Sequence, residues 1–332
     1  MPTPSGLTNS ELIEYLGLPA DTITKLQTAM GEEYQATANQ FLSAIYNKVL
    51  YSKVMQMEFT NPFKKYDSYP INFGDTIENI FVELPKGYTF DKDATDPFTK
   101  VVPSVKALYQ SINYELQYET TIQDSLLRRA CINEYGFMNL IDSILGTLAQ
   151  AMSLDEYDAV RAVLGDAKIY AGGKVEEYTK GATDSETAEK MTKLIVDAVT
   201  FMKLPSKKNN ALGVLTCSKP SDLLLVIKAD LLNSINLDYL SGVYNLSKVD
   251  LINNIIPVAS FQVKDATGAL KGEDIDFAVI DTTGFENHVA LQDGGMIYNP
   301  KGKYTNHFYN LWKIMSFKYF YNARAFKLTQ KA

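Results

Sequence analysis

The clearest periodic stretch of the chain is FMNLIDSILGTLAQAM, residues 137–152. Phe137, Leu140, Ile141, Ile144, Leu145, Leu148, Ala149 and Met152 recur at three- and four-residue intervals, which places them all on one face of an α-helix. Ser153 and Glu156 in the following SLDEYDAVRAVLG have capping-box spacing. The helix is therefore expected to break or bend there before resuming to about Leu164, with Gly165 at its terminus.

Residues 59–118 have a different texture. Alternation in TIENIFVEL and again in VKALYQSINYELQY predicts two strand-like arms around a tip rich in Lys86, Gly87, Asp91, Asp93, Asp96 and Pro97. A long two-stranded ribbon of this kind is marginal in water, so it needs a partner surface. Residues 1–57 read as an arm of modest helices, with Thr8, Asn9 or Ser10 capping one and Asp21 capping a second that Gly31 interrupts.

From 184 to 297 helix and strand alternate. SETAEKMTKLIVDAVTFM predicts a helix, DLLLVIKA a buried strand, and DLLNSINLDYLSGVYN a helix capped by Asp230. NIIPVASF and IDFAVIDT read as further strands, with KDATGALKGED as the turn between them. The chain then ends in NPKGKYTNHFYNLWKIMSFKYFYNARAFKL, residues 299–328, where aromatic residues are interleaved with Lys and Arg. Tyr304, Phe308, Trp312, Met315 and Tyr319 recur at helical or broken-strand intervals, while NARAFKL alternates as an edge strand does. This spacing favours aromatics packed in a core with the cations reaching outward. The rival reading is a stacking platform for single-stranded nucleic acid.

Charge sharpens that choice. Net charge is −7 overall. Residues 296–332 hold seven Lys or Arg and no acid, so the preceding 295 residues carry −14. Such segregation means that oppositely charged surfaces meet, or that the basic part meets phosphate. At 332 residues, with 46% hydrophobic and 21% charged content, the chain can fold throughout and is large enough for two lobes. Two cysteines, Cys131 and Cys217, do not make a disulfide framework. The N-terminus lacks the basic and apolar regions of a signal peptide, and no apolar run reaches about 18 residues, so a reducing cytoplasm is the expected setting, with no membrane.

Enzyme readings find no support in the inventory. His288, expected in a loop because of Gly284, and His307 in the aromatic tail have no recognisable catalytic partners, and no G-x-S-x-G elbow occurs. Gly302 precedes Lys303, but a phosphate loop needs glycine where Ile297 stands and Ser or Thr where Tyr304 stands. The acidic stretch at Asp91, Asp93 and Asp96 lacks the glycine and glutamate of a calcium loop. No catalytic residue, cofactor or metal is expected.

The blocks NPFKK and PINFGDTIENIF (within 61–81), TIQDSLLRRAC (121–131), MSLDEYDAV (152–160) and YNPKGKYTNHFYNLWKIMSFKYFYNARAF (298–326) together resemble the major capsid proteins of phi-29-like short-tailed bacteriophages. The resemblance implies an α+β, Hong Kong 97-type capsid fold. It implies an N-terminal arm at 1–57, an extended hairpin (E-loop) at 59–118 and a peripheral domain with its spine helix at 119–186. An α/β axial domain would follow at 187–297, and 298–332 would return to the peripheral domain. The immunoglobulin-like module of the phi-29 relative has no expected counterpart in these 332 residues.

The function so implied is a shell-forming structural protein of the virion that encloses double-stranded DNA. Its expected partners are itself in hexamers and pentamers, a scaffolding protein, the portal or connector, and packaged DNA held weakly and without sequence preference. On this reading Lys64, Lys65, Lys86, Asp91, Asp93, Asp96, Arg128 and Arg129 contact neighbouring subunits. Lys301, Lys303, Lys313, Lys318, Arg324 and Lys327 would line the inner face or an interface.

Overall fold

A computed structural model describes residues 13–14, 16–30, 33–41, 44, 59–87, 89, 92, 100, 102–125, 136–232, 254–265 and 267–329, with the backbone alone for 136–145. Chain contacts divide it into two compact units, each assembled from three stretches. The first joins Met1–Asn61, Asn113–Glu156 and Val289–Lys313; the second joins Pro62–Ile112, Tyr157–His288 and Ile314–Ala332. These units cut across the segment bounds read from the sequence, because the strands that pair are far apart in the chain.

In the first unit a helix, α1 (Thr22–Thr28), precedes a second helical stretch at 33–41. Asp21 does not cap α1 with its side chain; it pairs instead with Lys25 at 2.9 Å, one turn along. The sheet has the order β10–β11–β3, formed by β3 (Tyr114–Gln123), β10 (Phe285–Asn299) and β11 (Tyr304–Phe317). Strand β3 runs antiparallel to β11, with Trp312 opposite Glu115 and Tyr304 opposite Gln123.

The long helix α2 (Gly136–Leu164) begins in this unit and is continuous through Ser153, where a break was expected. Residues 153–164 contain no Gly or Pro to break the helix, and Glu156 turns to the buried Lys313 rather than back to cap a new helix. Leu148 packs in a cluster with Ile122, Tyr309 and Leu311. Leu26, Tyr34, Ala38 and Phe41 belong to the same cluster, so the described part of the N-terminal segment packs into this core. The proposed caps Thr8, Asn9 and Ser10, and Gly31, lie outside the described residues.

The second unit holds a five-stranded mixed sheet ordered β4–β12–β9–β5–β6. Its strands are β4 (Glu176–Tyr178), β5 (Leu223–Lys228), β6 (Ile255–Val258), β9 (Phe277–Asp281) and β12 (Ala323–Leu328). The apolar run LLLVIK is an interior strand, which explains its lack of alternation. NARAFKL is interior too, not the expected edge: β12 lies between β4 and β9. Helix α3 (Asp184–Lys203) starts where the Thr183 hydroxyl accepts from the Glu186 N–H, and Glu186 accepts from the Ala182 N–H. Its apolar stripe, Met191, Ile195, Val199 and Met202, packs on Leu223, Leu225, Phe277 and Val279. A small hairpin, β7 (Val263–Lys264) with β8 (Leu270–Lys271), forms at the expected turn. The helix expected after Asp230 lies outside the described residues.

Candidate functional site

The expected hairpin forms from β1 (Ile77–Val82) and β2 (Val105–Gln110), antiparallel, with Ile77 opposite Gln110 and Val82 opposite Val105. It is shorter than the alternation suggested. Residues 111–113 interrupt the second arm, and Tyr114 onward belongs to β3 in the other sheet. Burial alternates strictly along both strands, so the ribbon has two distinct faces.

The inner face rests on the chain's own second unit. Phe81 stacks on Phe320 at 5.6 Å, Lys106 donates to the Leu212 carbonyl at 2.7 Å, and Asn79 donates to Glu286 at 2.8 Å. At the root Ser316 donates to Gln110, and toward the tip Glu83 pairs with Lys207 at 3.6 Å. This corrects the expectation of a ribbon whose support comes from another molecule: one of its faces is already partnered.

The described residues leave the outer face open. Its cross-strand pairs are Glu78 with Tyr109, Ile80 with Ala107, and Val82 with Val105. Ile80, Val82, Val105 and Tyr109 are 53–65% exposed, and Leu84 and Val102 just beyond them are 73% and 68% exposed. The Tyr109 hydroxyl donates to Glu78 at 2.7 Å, and that bond raises the tyrosine's pKa. These residues were not singled out from the sequence, although IENIFV carries a signal. Its apolar residues occupy both phases of the alternation, which a ribbon with one covered face does not require.

The predicted charges fall in varied places. Lys64 pairs with Asp67 at 2.7 Å, the Lys65 amine sits 4.9 Å from the Tyr66 ring centroid, and Lys86 is exposed. Burial pushes the Tyr66 hydroxyl up to about 12. Asp91, Asp93, Asp96, Arg128 and Arg129 lie outside the described residues.

Of the tail cations, Lys301 and Lys303 are exposed in the turn between β10 and β11, with Lys303 at φ 51°. The others turn toward acids of the same chain. Lys313, 2% exposed, pairs with buried Glu156, so it is not a surface cation as expected. Lys318 lies 3.6 Å from Glu286. Arg324 forms two 2.7 Å hydrogen bonds to Glu176, and Lys327 reaches Glu273 at 3.2 Å and Glu177 at 3.7 Å. The segregated charge of the sequence is thus largely paired within the subunit.

The tail aromatics argue the same way. Tyr309, Phe317, Phe320 and Phe326 are buried, while Tyr304, Phe308 and Trp312 are half-buried on the other face of β11. No open row of rings is left for bases, which removes the support for the nucleic-acid platform. His288, expected in a loop, is buried in β10, because the strand begins at Phe285, directly after the short connection that closes at Gly284. A Cβ there would lie 2.3 Å from the Phe317 ring. Among the described residues no group of three or more His, Cys, Asp or Glu is placed to hold a metal, and no helix is long and apolar enough to cross a membrane.

Comparison with known proteins places this architecture. The major capsid protein of Bacillus phage B103 is 29% identical over 301 residues, covering 88% of this chain and 64% of that protein. That of Streptococcus phage Cp-1 is 26% identical over 310 residues, covering 88% of this chain and 83% of that protein. The chain therefore spans less than two thirds of the length of the Bacillus phage protein. In three dimensions it resembles the capsid structure of Staphylococcus phage Andhra, with a TM-score of 0.63 at 13% identity over 82% of this chain and 85% of that one. It also resembles the capsid structure of the cyanophage P-SCSP1u, with a TM-score of 0.56 at 12% identity over 86% and 94%. The fold is the α+β capsid fold of the Hong Kong 97 type. The sequence model of the Phi29-like phage major capsid proteins matches residues 18–327, and the chain belongs to that family.

Proposed function

We propose that this chain is a shell-building protein that associates with copies of itself, as hexamers and pentamers, into the closed head of a virion. The observation that carries the reading is the hairpin's outer face: an apolar row on a two-stranded ribbon whose other face is already packed. A neighbouring copy is the occupant that this reading supplies, and a shell repeats such a contact at every subunit boundary. In the terms of the fold, the hairpin is the E-loop, α2 the spine helix, the five-stranded sheet with α3 the axial domain, and β3, β10 and β11 the peripheral sheet.

The role is structural, with no chemical step. A scaffolding protein and a portal or connector are the further partners of such a shell. Packaged double-stranded DNA would meet it weakly: the chain is net −7 and most tail cations are paired internally, which suits DNA that must slide during packaging.

Size-exclusion chromatography with negative-stain microscopy of the purified chain tests this reading. Rings, tubes or closed shells are expected. A discrete monomer that instead retards labelled oligonucleotides would overturn it.

A further inference from the structure

Among the ties that hold the hairpin's inner face, one is made to a buried charge. Glu286 is 2% exposed. Its Oε2 accepts from the Asn79 amide at 2.8 Å, while its Oε1 lies 3.6 Å from the Lys318 amine and 3.7 Å from His288 Nε2. The neighbours are themselves held in place. His288 Nδ1 is 2.7 Å from the Tyr69 carbonyl, its ring meets the Tyr69 ring edge-on at 4.8 Å, and the Lys318 amine stands 5.9 Å from the Tyr321 ring centroid.

A carboxylate taken out of water needs its oxygens filled, and an amide donating to it is short and direction-sensitive. If the hairpin lifts or slides, Glu286 Oε2 loses its donor and either stays buried and unfilled or must be wetted. Of the other ties, the ring stack and the lysine on its flexible stem tolerate a shift of about an ångström, and the Ser316 hydroxyl holds only Gln110, at the end of the ribbon opposite Ile77. Because a strand's two faces are coupled by its pleat, fixing Asn79 also fixes the direction in which Ile80 and Val82 point.

We propose that Glu286 is the positioning residue of the hairpin. Its buried carboxylate grips Asn79 and so sets the angle at which the outer apolar face is presented to the next copy. The proposal rests on the reading of the hairpin as a lattice element, and the experiment separates the two.

The test exchanges the roles of the two groups without changing their shape. Asn79→Asp places a second carboxylate against Glu286 and should open the hairpin. Asn79→Asp combined with Glu286→Gln restores the total charge and lets the new amide at 286 donate to the new carboxylate at 79. Hydrogen exchange on unassembled subunits reads the outcome. In the single variant, amides of 77–82 and 105–110 should exchange about tenfold faster or more, with α3 unchanged. In the double variant they should return to within about twofold of the starting protein.

Unchanged exchange in the single variant, or no recovery in the double, overturns the proposal. Microscopy of the same samples then bears on the lattice. A loosened hairpin with normal shells keeps the grip and removes the hairpin from the lattice contacts. A tight hairpin in Asn79→Asp without shells overturns the grip and leaves the lattice reading standing.

Discussion

Replacing Ile80, Val82 and Val105 together by Thr removes the apolar outer face of the hairpin while keeping β-branched side chains in both strands. In the subunit these residues are 58%, 53% and 55% exposed, so roughly half of each side chain remains to be covered by a partner. Full burial of a Val or Ile side chain is worth about 1.5–3 kcal/mol, so the uncovered half is worth about 1 kcal/mol each and about 3 kcal/mol for the three. That is roughly a hundredfold in each subunit–subunit association constant, and it compounds across a closed lattice.

The isolated subunit should hardly notice, because the removed groups already face water and Thr favours strands; its stability should stay within about 0.5 kcal/mol. Thermal melting reads the first quantity, and light scattering as a function of concentration reads the second. The threshold for particle formation should rise by about two orders of magnitude or more. Assembly at the original threshold would place this face outside the lattice, and a collapse in melting temperature would make it part of the subunit's own core.

Three further outcomes follow from buried groups. Lys313→Met should destabilise the subunit by about 3–5 kcal/mol because Glu156 is left buried without its cation, and adding Glu156→Leu should recover most of the loss in urea titrations; an additive double variant would contradict this. Burial holds His307 down to about 4, so between pH 6.5 and 4 the unfolded chain takes up a proton that the folded chain refuses. Stability is therefore lost as pH falls through that window, by up to about 3 kcal/mol, and a urea-midpoint comparison at pH 7 and 4.5 should find His307→Leu less pH-sensitive than the parent. Gly284→Ala should cost about 1–3 kcal/mol, measurable by thermal melting, because the Phe317 ring occupies the space a Cβ needs.

Local patterns were legible in the sequence where one element decides its own fate. The periodicity of 137–152 and 185–202 marks α2 and α3, and the apolar runs at 223–228 and 277–281 mark interior strands. The tail was ambiguous for a geometric reason. Tyr304, Phe308 and Trp312 are four residues apart, an interval that lines up on a helix face and equally, being even, on one face of a strand.

What stayed hidden depends on distant pairing. VKALYQSINYELQY reads as one arm, yet its second half pairs with β11, nearly 200 residues away in the chain, rather than with β1. The charge segregation was plain, but whether it is satisfied within the subunit turns on contacts such as Lys313 with Glu156 and Arg324 with Glu176, which no spacing rule connects. Gly284 does lie in the connection between β9 and β10, as its type suggested, but that connection stops short of His288, and the lack of a Cβ there also admits an aromatic ring from β11. Of the candidate site, the hairpin was visible, but its division into an anchored face and a free apolar face was not.

In an assembled shell the open face of the hairpin is covered by another copy of the chain. A cryo-electron microscopy reconstruction of particles assembled from the purified protein measures this directly. Ile80, Val82, Val105 and Tyr109 should be buried against a neighbouring subunit at every hairpin, with the contact from Asn79 to Glu286 retained inside each subunit. Particles in which those four side chains remain open to solvent would contradict it.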